Sequence, residues 1–382
     1  MSEPDDPDVL AGELNALLPA SPSEAPTDLA RIERWLGVMV RHRAADLLLV
    51  AGLPPSLRLE GGITRLEEGP LDGTDIEDAV LPALPPHARQ QYEQAQIADA
   101  SLKLPGLGRF RVNLHRERGR AAAAIRALPA KVPTLDSLNL PAGVALITSI
   151  QHGLVLIGGA TGSGKTTTLA ALIGEINRHE SRHIVTIEDP IEYEHTHARS
   201  IVEQVEIGID APDFPTALRS AVRQAPDVLV VGEMRDPETM RIALAAAETG
   251  HLVLSTIHTT DVASTVARVA DGFPVERQNT IRQELAMGLS AVMTQTLLPR
   301  VGGGRIPAAE LLVVGYGARQ HIRRNALQHL HQEITITRKT GSFTLEECLV
   351  GLVKSGLVDR REAALRAGHL SDFESAMAAA GL

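Results

Sequence analysis

A glycine-rich segment between two apolar stretches places the strongest constraint on how this chain can fold. Residues 159–166 read Gly-Ala-Thr-Gly-Ser-Gly-Lys-Thr, which fits the nucleotide-binding pattern G-x-x-x-x-G-K-[ST]. A short buried strand is predicted at residues 154–157, and a helix with one apolar face is predicted directly after the segment. This strand–loop–helix context predicts an α/β fold built around a phosphate-binding loop.

The residue types of this loop are suited to ATP. Its glycines let the backbone curl so that N–H groups converge on phosphate oxygens, and the following helix adds a field that favours anions. The lysine suits the β- and γ-phosphates, and the threonine after it suits Mg²⁺. A glycine turn without a ligand is the competing interpretation, and the flanking elements disfavour it. The predicted nucleotide-binding residues are Gly159, Ala160, Thr161, Gly162, Ser163, Gly164, Lys165, Thr166 and Thr167.

Three more strands are predicted in this half of the chain, and each is followed by polar residues. The strands are expected at residues 183–187, 228–231 and 252–257, with helices at 213–224 and 237–248 between them. Continuous apolar strands that alternate with helices indicate a parallel sheet covered on both faces. Because ligands bind at the carboxyl ends of such strands, we expect these polar residues to share one site with the phosphate loop.

Chemical roles follow from the residue types at these strand ends. Many nucleotide hydrolases end the strand at 228–231 with Asp-Glu, the aspartate for Mg²⁺ and the glutamate for the attacking water. Here Gly232 takes the place of the aspartate, so Glu233 is the predicted general base or water-orienting residue. His258 is expected to sense or stabilise the γ-phosphate. The predicted metal ligands, in part through water, are Thr166, Glu188, Asp189 and Glu192, and Glu188 is also a candidate catalytic residue.

Arginines are concentrated in the first part of the chain, near a hairpin predicted at residues 107–128. Phosphoryl transfer usually needs an added cation on the γ-phosphate, and the second part offers none beyond Lys165. An arginine supplied by another domain or subunit would couple hydrolysis to motion, whereas the simpler interpretation is a solvated basic face. The six arginines are Arg109, Arg111, Arg116, Arg118, Arg120 and Arg126.

Charge and hydropathy divide the chain and exclude several classes of protein. Residues 1–26 are expected to form an acidic flexible tail, 27–130 a small α+β domain, 131–141 a linker, and 142–382 the nucleotide-binding domain, which is mostly helical from about residue 260. A net charge of −10 and 2% aromatic residues argue against nucleic acid as a partner. Cys348 is the only cysteine, which excludes an intramolecular disulfide and fits a cytoplasmic location. No apolar run reaches the roughly 18 residues of a membrane span, so we expect contact with a membrane only through a partner.

Several motifs in order resemble the PilT/PilU branch of the secretion ATPases, the motors of type IV pilus retraction. The likeness runs from about residue 31 to 365 and includes Gly108-Arg-Phe-Arg-Val-Asn113, the phosphate loop, Thr186-Ile-Glu-Asp-Pro-Ile-Glu-Tyr193, Ala225-Pro-Asp-Val-Leu-Val-Val-Gly-Glu-Met-Arg-Asp236 and Thr249-Gly-His-Leu-Val-Leu-Ser-Thr-Ile-His-Thr259. The resemblance implies a RecA-like P-loop NTPase domain preceded by a smaller PAS-like α+β domain, and Mg²⁺-dependent ATP hydrolysis in a homo-hexamer. It also implies an inner-membrane pilus platform protein as partner. Arg111, Arg118 and Arg126 match the positions of the arginines that the N-terminal domain of this family contributes to catalysis.

Three departures from the family pattern keep alternatives open. Asp46 is followed by Leu47-Leu48 where the family often has Leu-His, the retraction motif appears only as Gly317-Ala-Arg-Gln-His-Ile-Arg-Arg324, and the acidic tail is additional. The segment 202–210 is closer to PilU and the segment 233–236 is closer to PilT. A pilus or secretion assembly ATPase, opposed by the chain length and the single cysteine, and a regulatory paralogue with weak hydrolysis remain as alternatives. The acidic balance disfavours a RecA-like DNA motor.

Overall fold

The computed structural model describes residues 28–59 and 61–382. The chain divides after Ala130 into two units, Met1–Ala130 and Lys131–Leu382, and the described part of each is built around its own β-sheet. The expected acidic tail, residues 1–26, lies outside the described residues.

The first unit is an α+β unit with a six-stranded antiparallel sheet in the order β3-β2-β1-β6-β5-β4. Alternate residues of the strands face three helices, which bury Trp35 and Tyr92 against the sheet. The expected hairpin at residues 107–128 is confirmed. The strands are β1 (Asp46–Val50), β2 (Ser56–Leu59), β3 (Gly62–Arg65), β4 (Ala98–Leu104), β5 (Gly108–Glu117) and β6 (Arg120–Ala127), and the helices are α1 (Asp28–Arg41), α2 (Gly73–Val80) and α3 (Pro86–Ala95).

The sequence of residues 74–96 indicates helical structure, and the structure divides it into separate helices. Helix α2 ends at Val80, a short 3₁₀ turn spans Leu81–Ala83, and α3 begins at Pro86. Prolines at 82, 85 and 86 explain the break, because proline lacks the N–H that a helix interior needs and disfavours helical backbone in the residue before it.

The second unit has a seven-stranded sheet in the order β13-β12-β7-β11-β10-β8-β9. Six neighbouring strands are parallel, and the edge strand β13 runs antiparallel to β12. The predicted parallel sheet is therefore confirmed. The strands are β7 (Gly153–Gly158), β8 (His183–Glu188), β9 (Ile201–Glu206), β10 (Val228–Val231), β11 (Leu252–Ile257), β12 (Leu289–Pro299) and β13 (Arg305–Val313).

Helices cover both faces of this sheet, and for that reason its central strands are apolar at almost every position. Leu154 and Leu156 of β7 belong to the core on one face, and Val155 and Ile157 belong to the core on the other. Every residue of β7 and β11 is buried. The covering helices are α4 (Lys165–His179), α5 (Phe214–Ala221), α6 (Pro237–Glu248), α7 (Val262–Asp271) and α8 (Val275–Gly288).

The expectation of a mostly helical segment beyond residue 260 needs a correction, because β12 and β13 lie within it. Their apolar residues complete the sheet beside β7, and a buried apolar run has no periodicity that separates a strand from a helix. The rest of this segment is helical, and no helix among the described residues combines the length and apolar composition that crossing a bilayer requires. These last helices are α9 (Tyr316–Arg323), α10 (Leu330–Ile336), α11 (Leu345–Lys354), α12 (Arg360–Arg366) and α13 (Leu370–Ala379).

Candidate nucleotide-binding and catalytic site

The phosphate loop joins the end of β7 to the first residue of α4, and two of its glycines are required by space and conformation. Gly159 has φ 153°, and a Cβ there would lie 2.3 Å from Ser163 Oγ and 2.6 Å from the carbonyl oxygen of Gln295. Gly164 has φ 89°, and its Cβ would lie 2.8 Å from Gln295 Nε2. Any larger residue would therefore push the loop off the neighbouring strand.

The lysine of the loop is buried inside the turn that it closes. Its Nζ donates hydrogen bonds to the carbonyl oxygens of Gly159 at 2.8 Å and Ala160 at 2.9 Å. Burial lowers the pKa of Lys165, and the charge of Glu233 opposes that shift. The ammonium group and the N-terminus of α4 together place positive charge where a phosphate would lie.

The polar groups of the loop fit a phosphate ligand. Ser163 is buried, and its Oγ has no hydrogen-bond partner within residues 28–59 and 61–382. Thr161 is exposed and Thr166 is partly exposed at the first turn of α4, whereas the hydroxyl of Thr167 lies 3.1 Å from Tyr193 Oη. A buried hydroxyl without a partner is costly unless a ligand satisfies it, so the loop is suited to an anion with several acceptor oxygens.

The carboxyl ends of the parallel strands bring the predicted catalytic residues together. Glu233 follows β10, and its two carboxylate oxygens contact Arg235 at 2.5 Å and His258 Nε2 at 3.5 Å. His258 follows β11, and its Nδ1 lies 3.5 Å from Thr161 Oγ1 in the phosphate loop. A chain of polar contacts thus joins the loop to the ends of two strands, as the shared sheet edge predicts.

Close packing explains why glycine stands where many nucleotide hydrolases have aspartate. A Cβ on Gly232 would lie 3.2 Å from the carbonyl oxygen of Ile187 and 3.5 Å from Glu188 Cα, because the end of β8 passes beside it. The Gly232 N–H donates to the Ile187 carbonyl at 2.8 Å, and Thr256 Oγ1 donates to the Gly232 carbonyl at 2.6 Å. The backbone at this position is therefore held on both sides.

Glu188 ends β8 in a setting that favours its neutral form. Burial raises the pKa of Glu188, and the charge of Glu192 adds to that, while hydrogen bonds from Thr186 and Gln204 oppose the shift. These two donors lie 2.8 Å and 3.1 Å from Glu188 Oε1. Asp189 is exposed at the start of the following loop.

The acidic residues do not form a protein cage for a metal. Among the described residues, no group of three or more His, Cys, Asp or Glu side chains lies close enough to hold an ion. Mg²⁺ commonly binds through one or two protein ligands, water and substrate phosphates. Thr166 in the phosphate loop and the carboxylates at the end of β8 fit that mode of binding.

Two glutamines that the sequence reasoning did not single out organise this site. Gln204 of β9 donates to Glu188 and to the Tyr193 carbonyl at 2.9 Å, and it accepts from the His195 N–H at 2.7 Å. Gln295 of β12 contacts the phosphate loop and α4. A buried amide inside the apolar run 289–298 was the available signal for Gln295, whereas Gln204 lies in the segment 202–210, which was noted only for its likeness to PilU.

The arginines of the first unit divide between the two faces of its sheet. Arg111 and Arg126 are cross-strand partners on the exposed face, and Arg126 donates to Asp46 Oδ1 at 2.8 Å. Arg118 lies at the hairpin turn with its side chain 83% exposed and pairs with Glu117 at 3.0 Å.

Arg116 points the other way and serves the fold. It contacts Glu77 at 2.6 Å and lies over the ring of Tyr92, so it links β5 to α2 and α3. Arg109 and Arg111 lie on the opposite side of β5, because both flank the buried residue Phe110.

Packing gives a local physical reason for the glycine that begins residues 317–324, the segment that departs from the family's retraction motif. A Cβ on Gly317 would lie 2.4 Å from a carboxylate oxygen of Glu333, which is buried on α10. Glu333 also contacts His321 Nε2 at 3.5 Å. Glycine at 317 therefore leaves room for the Glu333 carboxylate, which would have to move to admit a side chain at this position.

The chain is similar to several known proteins. Residues 139–304 match the family described as "Type II/IV secretion system protein". The chain is 40% identical to the type IV pilus retraction ATPase PilT of Pseudomonas aeruginosa over 342 residues, which cover 90% of this chain and 99% of the relative. It is 34% identical to the type IV pilus ATPase PilU of the same organism, over 89% of this chain and 90% of the relative. The crystal structure of the pilus retraction motor PilT with bound ADP superposes with a TM-score of 0.81 at 40% identity, covering 89% of this chain and 98% of that one.

Proposed function

The chain belongs to the PilT family of type IV pilus retraction ATPases, and we propose that it hydrolyses ATP to drive the retraction of type IV pili. The observation that carries the proposal is the convergence of Lys165, Glu233 and His258 at the carboxyl edge of one parallel sheet. The PilT crystal structure with which the chain shares 40% identity holds ADP. The overall 40% identity supports a PilT-like rather than a PilU-like role.

Each residue of the site has a part in the proposed reaction. The N–H groups of the phosphate loop and Lys165 bind the phosphates, and Glu233 orients the attacking water. Arg235 and His258 fix the carboxylate of Glu233 from both sides. His258 also contacts Thr161, so it couples the state of the loop to the position of Glu233. Mg²⁺, when held by Thr166 and the carboxylates after β8, would neutralise charge on the phosphates.

Two variants separate nucleotide binding from chemistry. Lys165→Ala should abolish or greatly weaken both ATP binding and turnover, because the only ammonium group in the loop is lost. Glu233→Gln should still bind ATP with Mg²⁺ but lose turnover, because the amide cannot accept the proton of the water. Binding is measured by titration with a fluorescent ATP analogue, and turnover by phosphate release. Hydrolysis by Lys165→Ala at the wild-type rate would show that the site is misassigned.

We propose further that the active site is completed by arginines from the first unit of a neighbouring subunit in a homo-hexamer. The second unit offers the γ-phosphate no obvious cation beyond Lys165, and an added arginine can be worth roughly 10³- to 10⁵-fold in rate. Arg118 is the first candidate, because its side chain is 83% exposed at the tip of the hairpin of β5 and β6. Arg111 and Arg126 lie on the exposed face of the same sheet.

Mixing two inactive variants tests this assembly. Arg118→Ala and Glu233→Gln should each be slow alone, and a mixture should regain activity, because some interfaces then contain both intact residues. Specific activity of the wild type should rise with protein concentration together with the mass measured by light scattering. An unaffected Arg118→Ala variant and a concentration-independent rate would support the solvated-face interpretation instead.

The cellular setting follows from the family. We propose that the protein works on the cytoplasmic side of the inner membrane, held there by a pilus platform protein. Deletion of its gene should abolish twitching while pili stay on the cell surface, because extension continues without retraction. Loss of the surface pili would favour the assembly ATPase, and full twitching would favour a regulatory paralogue.

A further inference from the structure

We propose that Gln295 is a positioning residue that holds the phosphate loop in its binding conformation from the neighbouring strand β12. This inference rests on the proposed nucleotide site. Thr294 is the residue of β12 that pairs with Gly158, where β7 ends, and Gln295 is the next residue. Its side chain is 5% exposed.

The side-chain amide of Gln295 connects two parts of the nucleotide-binding element. Nε2 donates to the carbonyl oxygen of Ser163 at 2.8 Å, and Oε1 accepts from Thr168 Oγ1 at 2.7 Å. The two contacts define the orientation of the amide, because a carbonyl oxygen can only accept. Thr168 is buried in the first turn of α4, so one side chain ties β12 to the loop and to the helix that follows it.

The loop also lies directly against Gln295, so the two cannot move independently. Gly159 has space for no side chain beside the Gln295 carbonyl oxygen, and Gly164 has none beside Nε2. The two glycines at the ends of the loop therefore have the same neighbour. This close packing against Gln295 restricts the path that the backbone of the phosphate loop can take.

The contact with Ser163 has a direct consequence for phosphate binding. In a trans peptide, the carbonyl and the N–H of one unit point in opposite directions. Holding the Ser163 carbonyl toward β12 thus turns the N–H of Gly164 away from β12. Loop N–H groups are the donors that cradle phosphates in this kind of site, so Gln295 acts on the phosphates through the peptide that it orients.

Replacement of the amide should weaken binding of the phosphates rather than of the nucleoside. Gln295→Leu removes both hydrogen bonds at similar size and leaves the Ser163 carbonyl unpaired. We expect the Kd for ADP to rise about 10- to 100-fold, the effect of losing a buried hydrogen bond on which a binding loop depends. The Kd for adenosine should stay within about twofold of the wild-type value, because adenosine has no phosphate that could contact the loop.

Titrations with ADP and adenosine, measured by displacement of a fluorescent ADP analogue from the full-length protein, test the proposal. Thr296→Val, the next residue of β12, is the matched control and should bind both ligands like the wild type. Gln295→Glu retains an acceptor for Thr168 but faces the Ser163 carbonyl with a carboxylate oxygen, so it should lose ADP affinity as well. Gln295→Glu provides the test if Gln295→Leu does not fold.

Three results have distinct meanings. Selective loss of ADP affinity in either Gln295 variant supports the proposal. Wild-type ADP affinity in the variants, or an equal loss of ADP and adenosine affinity, overturns it, because the amide is then dispensable or merely structural. Failure of the wild type to bind ADP, or full binding by Lys165→Ala, would instead overturn the proposed nucleotide site itself.

Discussion

Replacing Gly232 with aspartate should slow ATP hydrolysis, although it restores the residue that many nucleotide hydrolases carry there. A larger side chain would crowd the end of β8, because the added Cβ would lie 3.2 Å from the Ile187 carbonyl oxygen and 3.9 Å from Glu188 Cγ. An aspartate would place a second carboxylate beside Glu188. Burial already raises the pKa of Glu188, and the added negative charge would raise it further, so less of Glu188 would be ionised at a given pH.

The size of the effect follows from these distances. With Cβ 3.9 Å from Glu188 Cγ, the two carboxyl groups can approach each other closely. When both are ionised, two unit charges roughly 5 Å apart repel by roughly 3 kcal/mol at an effective dielectric constant of about 20. Solvent at this partly exposed edge screens part of the repulsion, so we expect a loss in kcat of about 10- to 100-fold at neutral pH.

A series of three variants separates the effects of size and charge. Gly232→Ala adds only the Cβ, Gly232→Asn adds the bulk of aspartate without its charge, and Gly232→Asp adds both. We expect kcat, measured by phosphate release at saturating ATP with Mg²⁺, to be highest in Gly232→Ala, lower in Gly232→Asn and lowest in Gly232→Asp. An aspartate variant as active as the asparagine variant would refute the argument from like charges, and an asparagine variant as active as the wild type would refute the argument from space.

Two other carboxyl groups give predictions with a defined pH dependence. Because burial raises the pKa of Glu188, hydrolysis that needs its carboxylate should decline as pH falls through a value above the ordinary 4.5, and Glu188→Gln should lower kcat and remove that acid limb from the pH–rate profile. Burial also raises the pKa of Glu310, so the folded state binds its proton more tightly than the unfolded state, and the free energy of unfolding falls as pH rises from about 4.5 through the raised value. Glu310→Gln retains an acceptor for the Val262 N–H and Thr294, and should therefore raise the unfolding midpoint at pH 8 but not at pH 5; an equal gain at both pH values would contradict the role of the charge.

The catalytic half of the fold was predictable because local signals and tertiary structure agree there. Helix α6 and strand β11 have the predicted bounds, since Asp236 caps the helix and Gly250, with φ 109°, ends the turn before the strand. The position of the site then followed from the rule that ligands bind at the carboxyl ends of parallel strands. The structure places Glu233 and His258 beside the phosphate loop, as that rule predicts.

The sequence did not reveal features that depend on partners far apart in the chain. Strand β12 was not predicted, because its apolar residues reflect burial between β7 and β13 and show no local periodicity. For the same reason Gln295 could not be linked to Thr168, which lies 127 residues earlier. Glycine at 317 was an unexplained departure until Glu333 was found against it.

The exposed face of the first sheet helps to choose between the two interpretations of its arginines. Arg111 and Arg126 stand directly opposite each other on β5 and β6, a placement in which like charges destabilise a sheet. Asp46 offsets part of this cost by contacting Arg58 at 3.1 Å and Arg126 at 2.8 Å. Arg111 lies 4.0 Å from Asp99, so three guanidinium groups face two carboxylates on this side of the sheet. An anion bound on this face would relieve the repulsion that remains. The surplus of guanidinium groups over carboxylates on this face is what the proposal of an anion bound by Arg111 and Arg126 would require.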